Sequence, residues 1–89
     1  MITPSNLRYH ELLSLYVRVI DSSINGLVDQ KGKIVMETKN MLYFDNGERV
    51  CMAPKKVCTF EFALPSGQFS TLPGSILLGR PEVRLSRLR

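Results

Sequence analysis

The chain is cut into short runs of alternating apolar and polar residues, each closed by Gly, Pro or Asn, and this pattern constrains the fold more than any other feature. The clearest run is Val57 to Leu64, where Cys58, Phe60, Phe62 and Leu64 alternate with Thr59, Glu61 and Ala63. A period of two is that of a strand with one buried face. Leu15 to Asp21 repeats it, with Leu15, Val17 and Val19 on one side and Tyr16, Arg18 and Ile20 on the other. Asp21-Ser22-Ser23 and Asn25-Gly26 carry turn chemistry. Leu27-Val28 and Gly32 to Thr38 then read as two short strands, or as one strand bent at Gly32. Lys39-Asn40 makes the next turn, and Met41 to Asp45 is a strand with Leu42 and Phe44 inward. Asn46-Gly47 is a strong hairpin signal, returned by Arg49 to Ala53. Pro54-Lys55-Lys56 interrupts the pattern ahead of Val57, since Pro cannot donate to a central ladder. Gln68 to Leu72 and Ser75 to Leu78 follow as strands after turns at Pro65-Ser66-Gly67 and Pro73-Gly74.

About six short strands separated by tight turns predict a mainly β fold, a small antiparallel barrel or sandwich that leaves few edges exposed. The expected core is Ile34, Met36, Leu42, Phe44, Val50, Met52, Phe60, Phe62, Phe69 and Ile76. Both ends read as helical. Thr3-Pro4 opens a segment in which Leu7, Glu11 and Leu12 keep helical spacing, and Arg80-Pro81 opens a second, basic one. One domain of 89 residues is expected, with an N-terminal helical segment at 1–14, a barrel at 15–79 and a basic C-terminal helix at 80–89.

Composition excludes several classes. Apolar runs such as Ile76-Leu77-Leu78 fall far short of the roughly 20 residues a membrane span requires, and no signal sequence opens the chain. A cytoplasmic protein without a membrane partner is the expectation. Cys51 and Cys58 lack the CxxC spacing or nearby His of a zinc site and read as reduced strand residues. His10 is the sole histidine, so a nucleophile would have no obvious base. Glu37 and Glu61 both fall where alternation points outward and read as solvated or salt-bridged side chains rather than a catalytic carboxylate pair.

The formal charge of +4 is unevenly distributed. Residues 80–89 hold four Arg and one Glu, so they account for +3 of it. Lys31, Lys33 and Lys39 flank one pair of strands, and Lys55-Lys56 sit in a turn. Guanidinium forks on loops and helix ends suit phosphate binding, and an ordinary solvated tail is the competing reading. Tyr9, Tyr16 and Tyr43 offer stacking faces for unpaired bases, although Tyr is also a common strand residue.

Five stretches are more specific than their composition. In order they are Thr3-Pro4-Ser5-Asn6-Leu7-x-x-His10-Glu11-Leu12-Leu13, Gly32 to Asn40, Pro54-Lys55 before Phe60-Glu61-Phe62, Leu64-Pro65-Ser66-Gly67, and Gly79-Arg80-Pro81-Glu82-Val83-Arg84. Together they span nearly the whole chain, which resembles the archaeal ribonuclease P protein component 1 family. Departures from that family's pattern fall at Met41 after Glu37-Thr38-Lys39-Asn40, where Thr is frequent; at Val83, often acidic; and at Asp29, commonly Gly.

The resemblance implies a strongly curved, Sm-like antiparallel barrel of about six strands with helical ends. It also implies an RNA-binding, non-catalytic subunit of the ribonucleoprotein that removes the 5′ leader from precursor tRNA. The metal-dependent endonucleolytic centre, with its magnesium, would belong to the RNA subunit, and this chain would bind no cofactor and cleave nothing by itself. The implied partners are the ribonuclease P RNA, a zinc-ribbon protein subunit, the other ribonuclease P proteins and, for the holoenzyme, precursor tRNA. Carried onto this sequence, Leu7, His10, Leu12, Leu13 and Tyr16 become candidates for the face that meets the zinc-ribbon subunit. Lys39, Asn40, Lys55, Lys56, Arg80, Arg84 and Arg87 become candidates for RNA, neutralising phosphate charge and releasing counterions. Arg80 has a structural alternative, hydrogen-bonding barrel carbonyls to lock the following helix. The alternative for the whole chain is an Sm-like protein interaction module without direct RNA contact.

Overall fold

A computed structural model of the chain describes residues 12–78. Six antiparallel strands form one sheet: β1 (Tyr16–Ser22), β2 (Lys31–Glu37), β3 (Met41–Asp45), β4 (Val50–Pro54), β5 (Cys58–Ala63) and β6 (Phe69–Pro73). Their order across the sheet is β4-β3-β2-β1-β5-β6. The edge strands β4 and β6 both end in Pro, and each runs directly into a 3-10 turn, Lys55–Val57 after β4 and Gly74–Leu77 after β6. These turns pack on each other so closely that a Cβ on Gly74 would overlap the Lys55 carbonyl, which brings the two edges together at one end of the barrel. The expected strand over Ser75 to Leu78 is therefore corrected: Pro73 starts a 3-10 turn whose Leu77 plugs the core.

One buried cluster fills the interior, built on Val17 and Val19 of β1, Ile34 of β2, Leu42 and Phe44 of β3, Phe60 and Phe62 of β5, and Leu12, Leu15, Leu64 and Leu77 from the connections. Gly32 sits opposite Val17 in the β1–β2 ladder, and a side chain there would collide with the backbone carbonyl of Asp45. The residue that was expected to bend β2 instead permits close backbone approach inside the sheet.

Four expected core residues lie outside, and register explains each. A β-bulge between Ile34 and Met36 shifts the phase of β2, so that Val35 and Met36 both face out and the Glu37 side chain turns inward. The β3–β4 hairpin pairs Asp45 with Val50 across residues 46–49, which puts Cys51 opposite the buried Phe44 and Ala53 opposite the buried Leu42; Val50 and Met52 face solvent. In β6, Ser70 lies opposite the buried Phe62, leaving Phe69 67% exposed. Ile76 is half-buried against the core.

Residues 12–15 form a turn, with Ser14 at a φ of 73° and its N–H donating to the Ile34 carbonyl at 2.9 Å. Asp29 has a φ of 71°, the left-handed region in which glycine is unstrained and which the short polar side chain of Asp tolerates better than most. The remainder of the expected N-terminal helix and the whole of the expected C-terminal helix lie outside the described residues.

Candidate nucleic-acid interface

Two connections meet at the end of the barrel where the edge strands converge. The first is the β2–β3 turn, in which the Thr38 N–H donates to the Met41 carbonyl at 3.0 Å and the Thr38 hydroxyl accepts from the Met41 N–H at 3.2 Å. The second is the 3-10 turn at Lys55–Val57. Lys55 joins them. Its N–H donates to the Asn40 carbonyl at 2.8 Å, and its ammonium donates to Glu37 Oε2 at 2.6 Å, to the Thr38 carbonyl at 2.8 Å and to the Lys39 carbonyl at 3.4 Å.

Lys55 is 0% exposed. RNA phosphates cannot reach its ammonium, so its assignment to the phosphate-binding group is corrected: it holds the turn from beneath. The reason is the bulge in β2, which sends Glu37 inward, while Lys55 is the first residue after Pro54 and inherits the inward direction of the alternation that buries Cys51 and Ala53. Glu37, expected outside, is salt-bridged with its side chain fully buried. Burial pushes the Lys55 ammonium from 10.5 down to about 8. Sequence reasoning missed this pair, although two of the motifs it singled out, Glu37-Thr38-Lys39-Asn40 and Pro54-Lys55, are the ones that meet here.

Around this anchor, Lys39, Asn40 and Lys56 are exposed. Neither Lys39 nor Lys56 has an acidic partner within salt-bridge distance among the described residues. The structure thus gathers three of the seven candidate RNA residues at one end of the barrel. The described chain ends at Leu78, directly beyond the 3-10 turn that packs on Lys55. Arg80, Arg84 and Arg87 lie outside the described residues.

The candidate partner face divides. Leu12 is wholly buried in the barrel core, so its assignment to a subunit interface is corrected. Leu13 is 41% exposed and Tyr16 is 60% exposed. Leu7 and His10 lie outside the described residues. Tyr16 belongs to a row that crosses four strands on the outer face, from Lys33 through Tyr16 and Ala63 to Phe69. With Val35, Lys31 and Gly47 this row lines an open groove of about 670 Å³. Along its side Arg18 donates to Asp29 at 3.1 Å and to Glu61 at 3.4 Å, which neutralises one cation and leaves Lys31 and Lys33 as the basic border. Phe69 was missed as a surface residue because hydrophobicity alone points such a side chain inward; the register that sets Ser70 opposite Phe62 is what turns it out.

Cys51 and Cys58 are free, buried thiols. Among the described residues no group of three or more His, Cys, Asp or Glu could hold a metal ion, and no helix is long and apolar enough to cross a membrane.

The profile of the family Ribonuclease P/MRP, subunit p29 matches residues 5–87. Ribonuclease P protein component 1 of Pyrococcus abyssi is 44% identical over 86 residues, covering 97% of this chain and 67% of that protein. Its counterpart in Methanococcus aeolicus is 44% identical over 90 residues, covering 98% of this chain and 92% of that one. Among solved structures, Mth11, a homologue of the human RNase P protein Rpp29, superposes with a TM-score of 0.63 at 34% identity, over 84% of this chain and 97% of its own. A match of sequence over nearly the whole chain and a fold that superposes on a solved homologue lead to one conclusion: this chain belongs to the ribonuclease P/MRP subunit p29 family, the ribonuclease P protein component 1 proteins of archaea.

Proposed function

We propose that this chain is an RNA-binding, non-catalytic subunit of ribonuclease P that stabilises the folded RNA of the holoenzyme, in the cytoplasm, while the magnesium-dependent cleavage of precursor tRNA takes place at the RNA subunit. The observation that carries this reading is the meeting of the exposed Lys39, Asn40 and Lys56 at one end of the barrel. Exposed ammonium groups without acidic neighbours attract phosphate at little desolvation cost, and each contact releases about one counterion. The groove bordered by Tyr16, Val35 and Phe69 supports a second role on the opposite kind of surface. It is apolar enough to seat a protein subunit, and the zinc-ribbon component of the same particle is the proposed occupant.

Affinity for ribonuclease P RNA measured against salt tests the RNA role. A steep linear fall of log K with log salt supports phosphate contact, whereas a flat response favours the interaction module that binds protein alone. Reconstitution tests the division of labour. Added to the RNA and the other proteins, the chain should lower the magnesium needed to cleave precursor tRNA, and cleavage by the RNA-free chain would sink the proposal.

A further inference from the structure

We infer that Lys55 is a positioning residue for RNA, its buried ammonium fastening the Thr38 and Lys39 carbonyls so that the Lys39-Asn40 turn is fixed beside Lys56 as one phosphate-binding edge. The inference rests on the RNA-binding reading above and assigns a mechanism to that same edge.

The geometry ties this turn to Lys55 twice over. A buried ammonium needs acceptors for its three N–H donors, and beside Glu37 those of Lys55 are two successive carbonyls of the neighbouring turn, Thr38 and Lys39, while its backbone N–H independently donates to the next carbonyl, that of Asn40. Three consecutive carbonyls, those of Thr38, Lys39 and Asn40, are thereby held toward the barrel. With the carbonyls held inward, the Lys39 and Asn40 side chains are left exposed. A turn of polar residues without such an anchor samples many conformations, and ordering it on binding would subtract from RNA affinity. The residue next to the anchor in sequence, Lys56, is exposed on the same 3-10 turn, so one element both fixes the edge and contributes to it.

Loss of Lys55 alone takes the ammonium away from a buried carboxylate and threatens folding. The test therefore uses Glu37→Leu with Lys55→Met, which removes both charges and keeps apolar volume, beside Lys39→Ala in each background. Ribonuclease P RNA is the probe, at 25 °C and over a salt series. One lost phosphate contact corresponds to roughly eightfold in affinity at 0.1 M salt and a salt slope smaller by about 1. The double variant should show that loss, Lys39→Ala should show it in the wild-type background, and Lys39→Ala should add less than twofold in the double variant. Amide exchange at Thr38 and Met41 should accelerate in the double variant while the β1–β5 ladder keeps its protection. Wild-type affinity in the double variant, or full additivity with Lys39→Ala, overturns the positioning role even where stability has changed. A flat salt response of the wild-type chain instead overturns the RNA-binding reading, and this inference with it.

Discussion

Glu37 and Lys55 are 18 residues apart in sequence, and their side chains, both fully buried, meet with Oε2 and Nζ 2.6 Å apart. Two charges withdrawn from water have lost their hydration, so the pair is worth far less than its Coulomb attraction suggests, and breaking it is far worse than replacing it. Lys55→Met should lower the unfolding free energy by about 3–5 kcal/mol by taking the ammonium away from a buried carboxylate. Glu37→Leu together with Lys55→Met should recover most of that loss. Urea titrations of the three proteins check this, and a double variant no more stable than Lys55→Met would contradict it.

The same pair gives stability a particular pH dependence. Burial holds the Lys55 proton with a pKa of about 8 in the folded chain against 10.5 ordinarily, so the unfolded chain holds it more tightly. The contribution of this group is level below about pH 8 and rises with pH between about 8 and 10.5. Relative to the Glu37→Leu, Lys55→Met double variant, which lacks the group, the wild-type chain should gain about 2 kcal/mol between pH 7 and pH 9.5. Unfolding free energies of both proteins at the two pH values read this directly, and a difference that stays constant or shrinks refutes it.

Much of the barrel was legible because alternation is a local signal. β3 falls where its pattern places it, and the inward sets Val17/Val19, Leu42/Phe44 and Phe60/Phe62 follow from period two alone. What alternation could not convey is phase across a defect. A single extra residue at the β2 bulge reverses the faces of Met36 and Glu37, and the four-residue β3–β4 connection decides that the small Cys51 and Ala53, rather than the larger Val50 and Met52, face the core. The candidate site failed at the same point. Lys55 reads as a surface charge because nothing near it in sequence reveals that a carboxylate from β2 is waiting inside. Lys39, Asn40 and Lys56 were legible as turn residues, yet their meeting at one end depends on long-range pairing.

Gly32 makes a sharp prediction about the sheet. Any Cβ at this position overlaps the Asp45 carbonyl and crowds the Asn46 nitrogen, which are backbone atoms that cannot rotate away. Gly32→Ala should destabilise the barrel by ~3 kcal/mol, at the upper end for an added methyl group, because β2 and β3 must separate locally. Thermal unfolding compared with Gly67→Ala provides the control, since Gly67 meets no atom within 4 Å and carries only the strain of its φ of 90°. The prediction fails if the two substitutions cost the same.

Tyr16 and Phe69 flank Ala63 in one cross-strand row and together expose the largest aromatic surface of the outer face. Neither side chain supports the core, so Tyr16→Ser and Phe69→Ser should each change stability by no more than about 0.5 kcal/mol. Burial of an exposed aromatic ring at the centre of an interface is worth about 2 kcal/mol or more, so each substitution should weaken binding of the zinc-ribbon subunit by at least tenfold. The salt slope of RNA binding should stay unchanged, because neither residue carries charge and Lys39 and Lys56 lie outside the groove. Calorimetric titration with the zinc-ribbon subunit, paired with the RNA salt series, reads both surfaces at once. Unaltered subunit affinity in both variants removes the groove as the docking face, and a reduced salt slope moves the RNA onto it.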